Sequence, residues 1–189
     1  MKLKIITASN PILRQKSKPI VKIDRQIKKL SQRMIFLIKE GRQGKPVGVG
    51  LSAVQVGKLL RLLVVFNPKK KQYRVLINPE IIKKSKTFTE GVPESKNKFE
   101  GCLSIPGIYG VVQRVKWLQL YYQDLQGERK KEKFTGFAAT VIQHEYDHLE
   151  GILFVDRIFE QGGKIYQLEK TAEGEELKEI DFPYLFPVR

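Results

Sequence analysis

The sequence predicts an α+β fold in which antiparallel or mixed β-sheets pack around a central helix, with an amphipathic helix near the N-terminus. Runs rich in Leu, Val and Tyr, such as 61–66 and 115–122, predict strands. Apolar residues at helical spacing predict helices within 24–41 and 136–151. No internal repeat and no linker interrupts the sequence, so we expect a single domain over 1–189.

The N-terminal helix is the clearest amphipathic pattern of the chain. Asp24 is a candidate N-cap, and Gly41 is a candidate for the residue that follows the last helical turn. Basic residues separate the apolar positions, which are Ile27, Leu30, Met34, Leu37 and Ile38. Upstream of this helix, residues 2–6 are predicted to form a short strand.

The next part of the chain is predicted to contain a pair of strands. Pro68 and the lysines that follow it mark a turn between strands at 61–66 and 73–78. The polar segment 85–99 is predicted to be an exposed loop.

Two further strands and the central helix follow. Residues 115–122 are apolar at successive positions, which predicts a central strand, and 128–134 predict a more polar partner. Gly136 opens the second helix and Gly151 ends it, after which 152–156 are expected to be extended.

The C-terminal residues 164–189 are predicted to contain a β-hairpin. Its strands are expected at 164–170 and 176–182, with a turn around Glu173 and Gly174.

The net charge of +15 is unevenly distributed along the chain. Residues 1–58 contain 14 Lys and Arg against two acids, whereas 160–189 contain seven acids against four bases. A basic N-terminal half suggests attraction to a polyanion such as RNA. A lysine-rich surface that only maintains solubility explains the composition equally well, since no RNA-binding motif accompanies it.

Cysteine content and hydropathy exclude several classes of protein. With one cysteine, Cys102, the chain cannot be a disulfide-stabilised secreted scaffold. No apolar run approaches the ~18–20 residues that span a membrane, and the first residues do not resemble a secretory signal. We therefore expect no membrane association and a cytoplasmic location, with an organelle left open.

The segment that carries the chemistry is Gln143-His-Glu-Tyr-Asp-His-Leu-Glu-Gly151. Positions i and i+4 of a helix lie on one face, so His144 and His148 can bind one metal ion. Glu145 can then reach a water at that metal. These are the two histidines of the chain, and their ligand spacing predicts that the central helix is a metal-binding helix.

The third ligand must come from another part of the chain. Cys102 lies among glycine and apolar residues, which suits a tightly packed metal site. The alternative is a downstream carboxylate, Glu169 or Glu173, which would give a His-Glu-x-x-His metalloprotease with a glutamate as its third ligand. On chemistry alone Cys102 is favoured and the alternative stays open.

Such a site predicts hydrolysis of an amide. Glu145 would act as the general base and would later protonate the leaving amine. Negative charge on the attacked carbonyl requires donors, and the Leu103 N–H and the Gln55 side-chain amide are candidates.

Three motifs together resemble those of the peptide deformylase family, in the family's order. They are Gly48-Val-Gly-Leu-Ser-Ala-Val-Gln-Val-Gly57, Glu100-Gly-Cys-Leu-Ser104 and Gln143-His-Glu-Tyr-Asp-His-Leu149. Similar flanking features occur at 11–14, 77–80 and 151–157, so the resemblance covers roughly residues 5–160.

The resemblance implies removal of the N-terminal formyl group from formyl-methionyl nascent chains. It implies Fe(II) as the metal, replaceable by Zn, Ni or Co, with Cys102, His144 and His148 as its ligands. It also implies that Glu145 is the catalytic acid–base group and that Gln55 and the Leu103 N–H stabilise the oxyanion.

The resemblance further implies how the substrate binds. The Gly50 carbonyl would accept a hydrogen bond from a substrate that lies as an added strand. The pocket for the methionine side chain would be lined by Val49, Phe137, Thr140 and Val141. Thr140 is more polar than is usual in the family.

Two departures from the family concern the surface. The loop at 85–99 is long, and the C-terminus is predicted to be a hairpin where some bacterial members have a helix thought to dock on the ribosome. Docking on the ribosome through the basic N-terminal half is the hypothesis in its place. Near the site, Glu100 and Arg114 are candidates for a pair that braces the cysteine segment.

Overall fold

The computed structural model describes residues 3–40, 48–67, 70–95, 98–171 and 174–181. Within these residues the helices are α1 (Arg25–Glu40), α2 (Gly136–Leu149) and α3 (Phe154–Glu160). The strands are β1 (Gly50–Ser52), β2 (Leu62–Asn67), β3 (Gln72–Lys84), β4 (Glu100–Cys102), β5 (Ile105–Gly110), β6 (Trp117–Gln123), β7 (Arg129–Thr135), β8 (Ile165–Thr171) and β9 (Gly174–Ile180). Short 3₁₀ turns lie at Pro11–Arg14 and Ala53–Val56.

The described strands form two sheets, one in the order β1-β2-β3-β6-β7 and the other in the order β4-β5-β8-β9. Neighbouring strands pair antiparallel in both sheets. The predicted α+β class with antiparallel sheets is therefore confirmed.

The five-stranded sheet is covered by different helices on its two faces. Leu62 and Val64 point to the face on which α1 packs, whereas Leu63 and Val65 point to the face on which α2 packs. This division follows from the period of two along a strand. Helix α2 therefore lies in the interior, with nine of its 14 residues buried.

The four-stranded sheet packs against α3 and the N-terminal segment. Their shared apolar cluster includes Leu13, Ile105, Phe154, Ile158 and Ile165. Because β4 ends at Cys102, this second sheet carries the cysteine towards α2.

Helix α1 begins where its sequence indicates. The Asp24 carboxylate accepts hydrogen bonds from the backbone N–H groups of Gln26 and Ile27 at 2.8 and 3.0 Å, as an N-cap does. The side chains of Met34 and Ile38, on the face of α1 that packs against the sheet, are fully buried. The proposed end at Gly41 lies outside the described residues.

Two predicted elements are wrong. The described residues 3–6 of the expected first strand are not in a strand. Single hydrogen bonds, from Ile6 N–H to the Gln55 carbonyl and from Ala8 N–H to the Ser104 carbonyl, hold this segment, and no ladder of strand pairing forms. It thereby ties together two of the motif-bearing segments.

The second error concerns residues 152–156, which were expected to be extended but lead into α3. The Asp156 carboxylate accepts from the Leu153 N–H at 2.8 Å and so caps the helix. Phe154, Val155 and Ile158 are buried beneath it. A short apolar run does not distinguish a strand from a buried helix, which explains the error.

β3 is longer than expected, because it covers Gln72–Lys84 rather than 73–78, whereas the boundaries of the other predicted strands differ by one or two residues. β6 covers Trp117–Gln123 rather than 115–122, and β9 begins at Gly174 rather than at 176. β1, β4 and β5 were not predicted as strands. Glu173 and residues 182–189 lie outside the described part of the chain.

Among the described residues, no helix is long and apolar enough to cross a membrane.

Helix α1 offers a matched test of this core. Met34 is fully buried, whereas Phe36, which lies on the opposite side of the same helix, is 62 % exposed. We expect Met34→Ala to lower the free energy of unfolding by about 2–5 kcal/mol, and Phe36→Ala by no more than about 0.5 kcal/mol. Urea unfolding of both variants measures the difference, and equal losses would contradict the packing of α1 on the sheet.

Candidate metal centre and active site

Three side chains with metal-binding atoms converge where β4 meets α2. The Sγ of Cys102 and one ring nitrogen each of His144 and His148 lie within 4.8 Å of one another. Both histidines are buried and Cys102 is half-buried. The i, i+4 spacing on α2 brings the imidazoles together, and the second sheet brings the thiol to them.

The geometry and the donor types fit a transition-metal ion. The Cys102 Sγ lies 3.2 Å from His148 Nε2. Tetrahedral bonds of about 2.0–2.3 Å place ligand atoms roughly 3.3–3.8 Å apart, so a small adjustment accommodates an ion. A thiolate with two imidazoles suits Zn, Fe, Co or Ni and disfavours Mg or Ca. The residues present therefore fit a resident metal.

A buried carboxylate orients the first histidine. Glu100 Oε1 lies 2.6 Å from His144 Nδ1, which leaves Nε2 of that ring to face the site. Arg114 binds both oxygens of the same carboxylate, so the predicted Glu100–Arg114 pair is present. Burial raises the pKa of Glu100, but the charges of Arg114 and His144 outweigh it and bring the pKa down to about 2. Glu100 is therefore an anion at neutral pH.

The same arginine reaches α2 and α3 through Asp147. Arg114 donates to Asp147 Oδ2, and Arg157 of α3 donates to both oxygens, at 2.7 Å to Oδ1 and 3.2 Å to Oδ2. Arg114 is 4 % exposed, so its charge is stabilised by these carboxylates rather than by water. The network fixes the cysteine strand, the histidine helix and α3 relative to one another.

Glu145 is held beside the candidate ligands by β1. The hydroxyl of Ser52 lies 2.9 Å from Glu145 Oε2 and 2.7 Å from the Glu145 backbone carbonyl. Burial raises the pKa of Glu145, whereas the charge of His144 and the Ser52 hydrogen bond lower it. A raised pKa suits a carboxylate that gains and loses a proton near neutral pH.

Gln55 points its amide nitrogen into the same space. Its Oε1 accepts from the Ser52 N–H at 2.8 Å, which fixes the orientation of the side chain. Its Nε2 then lies 3.2 Å from Ser104 Oγ and 3.6 Å from Cys102 Sγ. The amide is 1 % exposed, so it is a preorganised donor.

Glycines allow these segments to approach one another. A Cβ on Gly50 would lie 2.5 Å from Glu145 Oε1 and 2.8 Å from Val141 Cγ1. A Cβ on Gly48 would lie 2.9 Å from Leu103 Cδ1. The first glycine-rich motif is therefore in contact with both the helix and the cysteine segment.

The residues expected to line a methionine pocket lie around this contact. Val49 is 39 % exposed, Phe137 is half-buried, and Val141 is buried against Gly50. The Thr140 hydroxyl donates back to the Gly136 carbonyl at 3.4 Å, so its polar atom has a partner within α2. The four residues remain predicted pocket residues.

Two findings separate this arrangement from the alternative ligand set. Among the described residues, the converging group contains Cys102 and not Glu169, which pairs with Lys178 at 3.7 Å on the terminal hairpin.

Four residues of the site were not assigned roles from the sequence, namely Ser52, Ser104, Asp147 and Arg157. Ser52, Ser104 and Asp147 lie inside the recognised motifs, which was the available signal.

The fold and the site define a His-Glu-x-x-His protein of the α+β class whose third candidate ligand is a cysteine from a separate sheet. The sequence profile described as "Polypeptide deformylase" matches residues 2–163. A peptide deformylase of Rhodopirellula baltica is 42 % identical over 166 residues, covering 86 % of this chain and 76 % of the relative.

Solved structures agree with this assignment. The peptide deformylase of Thermotoga maritima matches with a TM-score of 0.73 and 36 % identity, covering 83 % of this chain and 97 % of that one. That of Synechococcus elongatus, solved in complex with actinonin, matches with a TM-score of 0.72 and 34 % identity, covering 82 % and 78 %. The chain belongs to the polypeptide deformylase family. It is a hydrolase that removes the formyl group from the N-terminus of nascent polypeptides.

The Ser52–Glu145 contact predicts a change in pH dependence. Ser52→Ala removes a hydrogen bond that stabilises the charged carboxylate, so the pKa of Glu145 should rise. Because the base must be deprotonated, the acidic limb of kcat/KM should move to higher pH. The matched control is Ser104→Ala, which removes a partner of Gln55 and should leave that limb in place. Equal shifts in both variants would contradict the role of Ser52.

Proposed function

We propose that Cys102, His144 and His148 hold a metal ion at which the formyl group is hydrolysed, with Glu145 moving the proton. The observation that carries this proposal is the convergence of the three ligand atoms within 4.8 Å beside a buried Glu145. When bound, the metal ion supplies Lewis acidity, which polarises the formyl carbonyl and acidifies water.

Glu145 is positioned for both proton transfers. Its carboxylate takes the proton from the attacking water and then delivers it to the leaving amine of the methionine. The Ser52 hydroxyl keeps one carboxylate oxygen in a fixed position, 2.9 Å away. The raised pKa that burial gives Glu145 eases the first transfer.

The oxyanion is stabilised by groups from two other motifs. Gln55 Nε2 donates to the oxygen that gains charge, and the Leu103 N–H donates beside it. Gln55 is preorganised because Ser52 N–H holds its other amide atom at 2.8 Å. No reorganisation of this side chain is then needed during the reaction.

The substrate backbone binds along β1. In the order of the described sheet β1 lies at the end, so one of its edges is not paired with a neighbouring strand. An extended peptide adds to such an edge, and the Gly50 carbonyl accepts its N–H. Val49, Phe137, Thr140 and Val141 then line the pocket for the methionine side chain.

The resident metal in the cell is proposed to be Fe(II), with Zn, Ni or Co as substitutes in the purified protein. A thiolate with two imidazoles is compatible with all four metals.

The whole chain 1–189 is proposed to be one catalytic domain around a metal-binding α2, with α1 as its N-terminal amphipathic helix. Support comes from β8, which pairs with β5 of the cysteine sheet although it lies beyond the family match.

The cellular setting follows from the substrate. Nascent formylated chains emerge from ribosomes, which places the proposed activity in a bacterial-type cytoplasm or in an organelle. The basic residues of the N-terminal half would attract the enzyme to the ribosome over long range.

The proposal is tested by formate release from formyl-Met-Ala-Ser, with acetyl-Met-Ala-Ser as the control substrate. Glu145→Gln should lower kcat by at least about 10³-fold while metal content stays near one ion per chain. Cys102→Ala should lose the metal. A metal-loaded, anaerobically prepared protein that releases no formate would overturn the proposal. Retention of metal by Cys102→Ala would favour the protease-like ligand set.

The thiolate ligand also predicts sensitivity to oxidants. Fe(II) and a cysteine thiolate both react with peroxide, so the iron-loaded protein should lose activity in air and faster in peroxide. The nickel-loaded protein is the control, and it should inactivate more slowly because its metal is less easily oxidised. Unchanged activity of the iron form after peroxide treatment would contradict thiolate ligation of iron.

A further inference from the structure

The excess of positive charge is not explained by the catalytic site. On the side of the five-stranded sheet where α1 packs, α1 covers the part formed by β1 and β2. Strands β6 and β7 continue this face away from the apolar cluster under α1. The burial pattern of β6 alternates strictly, so Trp117, Gln119, Tyr121 and Gln123 point to this outer face.

Basic side chains of β7 stand directly opposite these positions. The register pairs Gln119 with Lys133, Tyr121 with Lys131, and Gln123 with Arg129. All three basic residues are exposed. On β3, Lys83 is paired with Gln119 and Glu80 with Tyr121. Four cations and one acid therefore surround two aromatic rings on this surface, which we call the β6–β7 face (Glu80, Lys83, Trp117, Gln119, Tyr121, Gln123, Arg129, Lys131 and Lys133).

The cations and the rings are in direct contact. The Arg129 guanidinium carbon lies 4.5 Å from the centroid of the Tyr121 ring, and Lys131 Nζ lies 5.5 Å from it. Lys133 Nζ lies 4.2 Å from the centroid of Trp117. Cation–π contacts of this kind reduce the conformational freedom of the basic side chains and hold them over the faces of the rings. The array thus presents positive charge and aromatic surface together.

An open cleft of about 310 Å³ adjoins this array. Its lining includes Tyr121, Gln123, Arg129, Glu80 and Asn78. An aromatic wall with amide, carboxylate and guanidinium groups suits a base that is unstacked from its neighbours. A surface that only maintained solubility would require neither the rings nor the cleft.

We propose that the β6–β7 face binds single-stranded RNA, with phosphates on Arg129, Lys131 and Lys133 and bases against the Arg129–Tyr121 pair and in the adjoining cleft. Aromatic rings interleaved with cations on an open sheet provide stacking and charge neutralisation together. An acidic protein or an anionic lipid surface would be attracted by the same charges, and the test below distinguishes these two partners from RNA. This activity is separate from deformylation, since none of these residues belongs to the site.

The test measures binding of a fluorescent oligouridylate of about 12 nucleotides by anisotropy across salt concentrations. The triple variant Arg129→Gln, Lys131→Gln, Lys133→Gln should weaken binding at ~0.1 M salt by at least about tenfold, and the slope of log K against log salt should decrease by about 2. Tyr121→Leu should weaken binding about fivefold or more with little change in slope, because stacking carries no charge.

A matched triple on α1 controls for net charge. Arg25, Lys28 and Lys29 are exposed, and their replacement by Gln removes the same charge. Because no ring or cleft of the β6–β7 face is involved, binding should fall by no more than about threefold. Formate release should be unchanged in both triples, which separates failure of RNA binding from failure of the catalytic proposal.

Four results would overturn the inference. They are equal losses in the two triples, no effect of Tyr121→Leu, no binding of the wild-type protein at ~50 mM salt, and binding of polyglutamate or phosphatidylserine vesicles as tight as that of RNA. Equal losses in the two triples, or equally tight binding of polyglutamate or vesicles, would mean that the positive charge attracts polyanions in general rather than RNA in particular.

Discussion

The ion network centred on Arg114 is the interaction on which the rest of the site depends. One guanidinium binds Glu100 beside the cysteine and Asp147 between the histidines, and Asp147 in turn binds Arg157 of α3. Removing one partner of such a buried network typically costs about 3–5 kcal/mol, because the remaining charges lose their solvation and their partners together. Since Glu100 also orients His144, the same charges determine both the assembly of the segments and the direction of a candidate ligand.

Around this network the catalytic groups come from three separate parts of the chain. β1 and the turn after it supply Ser52 and Gln55, β4 supplies Cys102, and α2 supplies His144, Glu145 and His148. Close contact between these parts requires the absence of side chains at Gly50 and Gly48, where a Cβ would collide with Glu145 and Leu103. Burial of the assembled groups then raises the pKa of Glu145 and orders the amide of Gln55.

The two faces of the five-stranded sheet have different tasks. The inner face packs on α2 and supports the site, whereas the outer face is covered by α1 only in part. The uncovered strands carry the rings and cations that we assign to RNA. Because α1 and the β6–β7 face lie on the same side of this sheet, long-range attraction by the basic N-terminal half would bring RNA towards the contact surface.

Local patterns in the sequence determined the helices α1 and α2, most strands and the proximity of His144 to His148, and they favoured Cys102 as the third ligand without excluding Glu169 or Glu173. These are set by short-range geometry, by the helical repeat of 3.6 and by ligand chemistry. Contacts between distant segments could not be derived in this way. Local spacing does not show which distant residues meet. It therefore left undetermined the Ser52–Glu145 hydrogen bond, the extension of the ion network to Arg157 and the pairing of β8 with β5. It also did not decide that Phe154–Glu160 is a capped helix rather than an extended segment. Only the tertiary structure decided them, because it sets which buried polar groups meet and which strand faces stay open.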